Sequence, residues 1–106
     1  MYDDLNLYID GEWRAASDKG TKPVTDPATE DTLATIAAAT EADIDAALKA
    51  AERGFDVWRK TGTWERAAII RKVADLIRDR IDQIAVAMSL ETGKPLAEAK
   101  GETGAA

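Results

Sequence analysis

The chain has 106 residues, with 14 Lys and Arg against 20 Asp and Glu and neither cysteine nor histidine. That composition excludes from these residues a thiol nucleophile, a disulfide framework, a thiolate metal site, a histidine-based triad and an imidazole general base. The formal charge of −6 argues against a nucleic-acid interface, which needs a basic stripe to neutralise phosphates.

The N-terminal end carries Asp3, Asp4 and Asp10 and no basic n-region, so no secretory signal is expected. Leu5, Leu7 and Ile9 then alternate with Asn6, Tyr8 and Asp10, the period-2 pattern of a half-buried strand. Asp10-Gly11 before Glu12-Trp13-Arg14 predicts a hairpin turn, since a type I′ turn needs positive φ that Gly adopts at little cost. Ser17 to Lys22 reads as a polar loop, and Pro23, Val24 and Thr25 lead to Asp26-Pro27, where Pro27 biases Asp26 toward an extended conformation. A short strand is expected from Thr32 to Ala38, although its alanines suit a helix equally well.

From Thr40 the period becomes helical. Thr40 is a good N-cap, and Asp43 sits where a capping box places its acid. Ile44, Ala47, Leu48, Ala51, Phe55 and Trp58 form one apolar stripe, predicting a helix over 41–60 that Thr61-Gly62 ends. Thr63 is expected to cap a second helix over 64–92, about 40 Å long at ~1.5 Å per residue. Its seam runs through Ile70, Val73, Ala74, Ile77, Ile81, Ile84, Ala85 and Met88, and Ile69 and Leu76 widen the stripe beyond one partner helix. Gly93 suits the helix stop and Pro95 the first turn of a third helix over 95–106. No apolar run exceeds four residues, so no helix here spans a bilayer. With 45% apolar and 32% charged residues, the chain reads as a soluble, cytoplasmic α+β segment of about one domain.

Few residues offer chemistry. Glu91, Glu98 and Glu102 lie near the last helix, and the i, i+4 pair Glu98 and Glu102 has the oxygen donors for a hard cation; a solvated acidic face is the favoured alternative. Thr92-Gly93-Lys94 lacks the Gly-rich loop of a phosphate cradle. Trp58 and Trp64 bracket a turn and are expected to staple the helices that meet there, with Trp13 on the hairpin. Arg53, Arg59, Lys60 and Arg66 are interleaved with Glu52, Asp56 and Glu65, the pattern of a mixed-sign surface rather than an anion site.

The order of these features resembles the N-terminal region of the NAD(P)-dependent aldehyde dehydrogenase superfamily. The resemblance is carried by NLYIDGEW (6–13), DPATEDTLATI (26–36), ATEADIDAALKAAERGFDVWRKT (39–61) and ERAAIIRKVADLIRDRIDQIAVAMSLETGKPLAEAKGE (65–102). LETGKPLAEAKGE (90–102) is most similar to the succinate-semialdehyde dehydrogenase branch. The resemblance implies an α/β parent fold in which residues 1–106 form the N-terminal segment. That segment comprises a β-hairpin and short strand within 5–38 and two to three helices, and is apparently truncated.

It further implies a parent oxidoreductase that oxidises an aldehyde, succinate semialdehyde first among candidates, with NAD or NADP through a cysteine thioester beyond this chain. No catalytic or dinucleotide-binding residue falls within these residues, and the chain alone is expected to be inactive. A monovalent cation site is implied at the main chain of Val24 and Thr25, with Glu102 offset by about one residue from the family's usual acid. A homo-oligomeric parent, dimer or tetramer, is implied by the hairpin at 6–14. The alternative is a stand-alone helical interaction or oligomerisation module without catalysis.

Overall fold

In the computed structural model, which describes residues 5–105, Asp10 and Gly11 both take positive φ, 56° and 84°. This is the backbone of a two-residue type I′ turn, and it joins β1 (Leu7–Ile9) to β2 (Glu12–Arg14) in antiparallel register. Tyr8 faces Trp13 across the ladder with ring centroids 5.0 Å apart and planes tilted by 50°. Ile9 turns the other way and is buried. The hairpin expected from Asp10-Gly11 is therefore present.

A second hairpin pairs β3 (Thr21–Thr25) with β4 (Thr32–Ala37), antiparallel, with a bulge between Val24 and Thr25. The strand expected over 32–38 is present at 32–37, and the polar loop expected over 17–22 is shorter: residues 17–20 lie outside any strand, while Thr21 and Lys22 belong to β3. A ladder partner is satisfied by main-chain groups whatever the side chains, so polar Thr21 and Lys22 pair with Ala37 and Ile36. Pro23 cannot donate to a ladder, and it is accommodated on a strand that pairs on one side only. On the other side of β4, Leu5 forms a parallel bridge with Ile36: the Leu5 N–H donates to the Thr35 carbonyl at 3.0 Å, and the Ala37 N–H donates to Leu5 at 2.8 Å.

The described residues divide into two compact units, 5–25 with 32–60, and 26–31 with 61–105. The first is completed by α1 (Glu41–Trp58), which opens on the Thr40–Asp43 capping box and packs beside β1. Its covered residues are small: Asp43, Ala46, Ala47 and Ala50 are buried or half-buried. The large apolar stripe points elsewhere, with Ile44, Leu48 and Phe55 exposed at 53%, 64% and 65%. The alanine face lets the helix backbone approach closely, which bulky side chains would prevent.

The second unit contains α2 (Thr63–Asp79), α3 (Ile81–Thr92) and α4 (Leu96–Ala105). The single helix expected over 64–92 is thus two. The break falls at Arg80, with φ −109° and ψ 12°, where the Arg80 N–H bonds back three residues to Ile77 at 3.1 Å. Residues 26–31 form a tight turn in which the Asp26 N–H donates to the Asp31 carbonyl at 2.9 Å and Glu30 takes a φ of 65°. Gly62, not Thr63, occupies the N-cap of α2, and no side chain caps it. The core between α3 and α4 is built from small residues: Ala85 and Ala99 are fully buried, and buried Thr103 donates its hydroxyl to the Ala99 carbonyl at 2.8 Å. Among the described residues, no large side chain is fully buried. Trp64, expected as part of a staple between helices, is 82% exposed. The expected final residue of the third helix, Ala106, lies outside the described residues, as do Asp3 and Asp4. Among the described residues, no helix is long and apolar enough to cross a membrane.

Candidate functional site

In the first unit the most heavily bonded side chain is Asp43, the third residue of α1. Its position follows from the capping box: the Asp43 N–H donates to Thr40 Oγ1 at 3.3 Å, and the Thr40 N–H donates back to Asp43 Oδ2 at 2.9 Å. The same carboxylate oxygen accepts the Thr40 hydroxyl at 2.9 Å, the Ser17 N–H at 3.0 Å and the Ser17 hydroxyl at 3.3 Å. The two hydroxyls, Ser17 Oγ and Thr40 Oγ1, lie 2.6 Å apart, so one can turn its proton from the carboxylate to the other. Main-chain donors from Thr40 and then Ser17 hold the Asp43 carboxyl down at about 2; burial opposes them, and the hydroxyls of Thr40 and Ser17 add to the lowering. With these donors on Oδ2, the carboxylate resists protonation. Its chemistry is architectural: it fastens the loop after β2 to the start of α1.

In the second unit, the turn between α3 and α4 is built around Gly93, which has a φ of 71°. Its N–H closes the helix onto Ser89 at 2.9 Å, and the Ser89 hydroxyl reaches across to the Lys94 carbonyl at 2.6 Å. Thr92 donates its hydroxyl to Met88 at 2.7 Å. The Lys94 ammonium pairs with Glu102 on α4, and Lys100 pairs with Asp82 at 2.7 Å. Pro95 sits ahead of the first turn of α4, as its missing N–H requires, and accepts from Glu98 and Ala99 through its carbonyl.

Against that geometry, the residues singled out in the sequence fall as follows. Val24 and Thr25 flank the β-bulge at the end of β3, in the first unit. Glu102 belongs to the second unit, where its carboxylate holds Lys94. Glu91 and Glu98 are exposed, as a solvated acidic face would have them. Arg53 is paired with Asp10 at 2.7 Å and Arg59 with Asp56 at 2.8 Å. The Arg66 Nε is buried without a hydrogen-bond partner. Among the described residues, no group of three or more Asp, Glu, His or Cys is placed to hold a metal ion. Ser17 and Ser89 were not legible as contributors: each acts through a contact with a main-chain or carboxylate group that a lone serine in sequence does not announce.

Residues 13–106 match the model of the aldehyde dehydrogenase family. The malonate-semialdehyde dehydrogenase of Bacillus pumilus (strain SAFR-032) is 38% identical over 98 residues, 92% of this chain and 20% of that protein. Among solved structures, the succinate-semialdehyde dehydrogenase of Burkholderia pseudomallei is 42% identical, with a TM-score of 0.90 over 93% of this chain and 20% of its own. An NAD-dependent aldehyde dehydrogenase of Sinorhizobium meliloti is 33% identical, with a TM-score of 0.93 over 98% of this chain and 21% of its own. The chain therefore spans about a fifth of the length of each of these relatives. By the extent of that match and the likeness of its fold, the chain belongs to the aldehyde dehydrogenase family.

Proposed function

We propose that this chain is the structural N-terminal part of an enzyme that oxidises an aldehyde to a carboxylic acid with NAD or NADP. What supports the reading is the family match over residues 13–106; beside it stand the Asp10-Gly11 hairpin, the Thr40–Asp43 helix start and the Gly93–Pro95 turn, in the order the resemblance implies. The oxidation itself runs through a cysteine thioester outside these residues, and the dinucleotide, when bound, supplies the hydride acceptor. What these residues contribute is a scaffold: two hairpins and four helices pinned by Asp43 in one unit and by the Gly93 turn in the other.

The substrate in this reading is succinate semialdehyde. It is supported by the 90–102 motif and by relatives whose names specify succinate and malonate semialdehydes, both short aldehydes with a carboxylate at the far end. The reading also carries a cytoplasmic location and a homo-oligomeric parent. It includes a monovalent cation at the main chain of Val24 and Thr25. The ladder shifts register between Val24 and Thr25, and carbonyl oxygens suit a hard cation.

The test is an assay of a polypeptide carrying this chain, with succinate semialdehyde and either dinucleotide, read by the absorbance of the reduced nicotinamide. Formation of reduced dinucleotide is expected. Turnover of other aldehydes but not succinate semialdehyde overturns the substrate assignment, and no turnover with any aldehyde overturns the reading as a whole.

A further inference from the structure

Of the aspartates among the described residues, only Asp10 is followed by a glycine. The nitrogen of the next residue can attack an aspartyl Cγ, and a Cβ on that residue obstructs the approach. Gly11 has no Cβ, and nothing lies within 4 Å of where one would stand. Among the described residues nothing accepts the Gly11 N–H, and the Asp10 carboxylate is exposed. The turn they form joins two strands of only three residues each, and so short a two-stranded ladder opens easily. The other described aspartates are each hindered. Asp26 precedes Pro27, which has no N–H, and Asp18 Oδ1 is occupied by the Gly20 N–H at 2.7 Å. Asp31 precedes β-branched Thr32 at the start of β4, and Asp43, Asp45, Asp56, Asp75, Asp79 and Asp82 lie within helices.

We propose that Asp10-Gly11 is a self-modification site where the chain converts aspartate to isoaspartate, and that the ion pair to Arg53 restrains the reaction. In the first step the Gly11 nitrogen bonds to Asp10 Cγ and gives up its proton, while the carboxyl hydroxyl leaves as water. A five-membered succinimide results. A water then adds to one of its two carbonyls. Opening at Cγ restores aspartate; opening at the main-chain carbonyl leaves Gly11 attached through Cγ, which is isoaspartate. One water is lost and one gained, and no electrons are transferred. The succinimide has no carboxylate, so every route to it gives up the bond from Arg53 Nη2 to Asp10 Oδ2 at 2.7 Å. Arg53 stands on α1, which packs beside β1, so that bond ties the turn to the rest of its unit. The product has one more carbon in its main chain, and its carboxylate sits on Cα. A turn lengthened in this way no longer matches the pairing of Ile9 with Glu12 and Tyr8 with Trp13.

The test ages the 106-residue chain at neutral pH under mild warming, in native buffer and in urea. Isoaspartate is measured by methyl transfer from S-adenosylmethionine with an isoaspartyl methyltransferase, and its position by chromatography and mass of the digested peptides. Isoaspartate is expected to accumulate at position 10 ahead of every other aspartate. It should not form there in Asp10→Glu, whose ring would have six members. Arg53→Ala is expected to raise the native rate about two- to threefold, the scale of an exposed ion pair, and Arg53→Lys to keep it near the original. In urea, where the pair does not form, the chain and its Arg53 variants should react alike. Isoaspartate no faster at position 10 than at the other aspartates overturns the site. Equal native rates for the chain and Arg53→Ala, or a gain in Arg53→Ala that persists in urea, overturn the restraint by Arg53.

Discussion

The Ser17 N–H donates to Asp43 Oδ2 at 3.0 Å across 26 residues of sequence, joining the loop after β2 to the first turn of α1. The carboxylate is below its ordinary value, at about 2 against 3.8, mainly because the main-chain N–H groups of Thr40 and Ser17 favour its charged form. A depressed folded-state value means the stabilisation is fully present above about pH 4 and is lost as the pH falls through about 2. Asp43→Asn is therefore expected to lower stability at neutral pH and to flatten its decline in that acid window. Urea midpoints measured at neutral pH and in steps down to about pH 2 check this.

Thr40→Ala removes the other half of the capping box. Loss of an N-cap hydroxyl costs about 1 kcal/mol. The same hydroxyl also meets Asp43 Oδ2 and Ser17 Oγ, so the effect is expected at or above that figure. Thr40→Ser, which keeps the oxygen, should recover most of it. Chemical unfolding followed by helical circular dichroism separates the two.

Gly93 closes α3 with a φ of 71°, and a Cβ there would stand 3.4 Å from the Pro27 ring. Gly93→Ala is expected to destabilise by about 1–2 kcal/mol, the cost of a left-handed backbone for a residue with a Cβ. Gly93→Asn should be milder, because asparagine tolerates that region better. Thermal midpoints of the two variants provide the comparison.

Ser89→Ala should cost about 1 kcal/mol, since it leaves the half-buried Lys94 carbonyl without its 2.6 Å donor. By contrast, Asp10→Ala should change stability by well under 1 kcal/mol, because its pair with Arg53 is solvent-exposed and screened. Unfolding at low and high salt distinguishes them: only the Asp10–Arg53 contribution should fade with added salt.

What sequence could and could not reveal follows from how each feature is encoded. The first hairpin and the start of α1 were legible because Asp10-Gly11 and Thr40–Asp43 are local signals whose geometry is fixed within two to four residues. Strand β3 was not, since Thr21 and Lys22 are held by pairing with Ala37 and Ile36 rather than by any pattern of their own. The break at Arg80 was hidden because Ile77, Ile81 and Ile84 keep helical spacing through it, with no Gly or Pro to mark the interruption. The stripe on α1 was read with Ala47 in it, because periodicity does not say which side a neighbour covers; within this unit Ala47 turns inward with Ala46 and Ala50, and the larger residues are exposed. The role of Asp43 was half legible: its cap is local, while its bond to Ser17 depends on the fold bringing residue 17 to residue 43.

We propose that these residues are the structural N-terminal part of an aldehyde dehydrogenase and carry none of its chemistry. The most direct measurement is reduced-dinucleotide formation from succinate semialdehyde by the 106-residue chain and by its fusion to the remaining four-fifths of the Burkholderia pseudomallei enzyme. The account predicts no turnover by the chain alone and clear turnover by the fusion. Turnover by the chain alone, or a folded fusion with none, would contradict it.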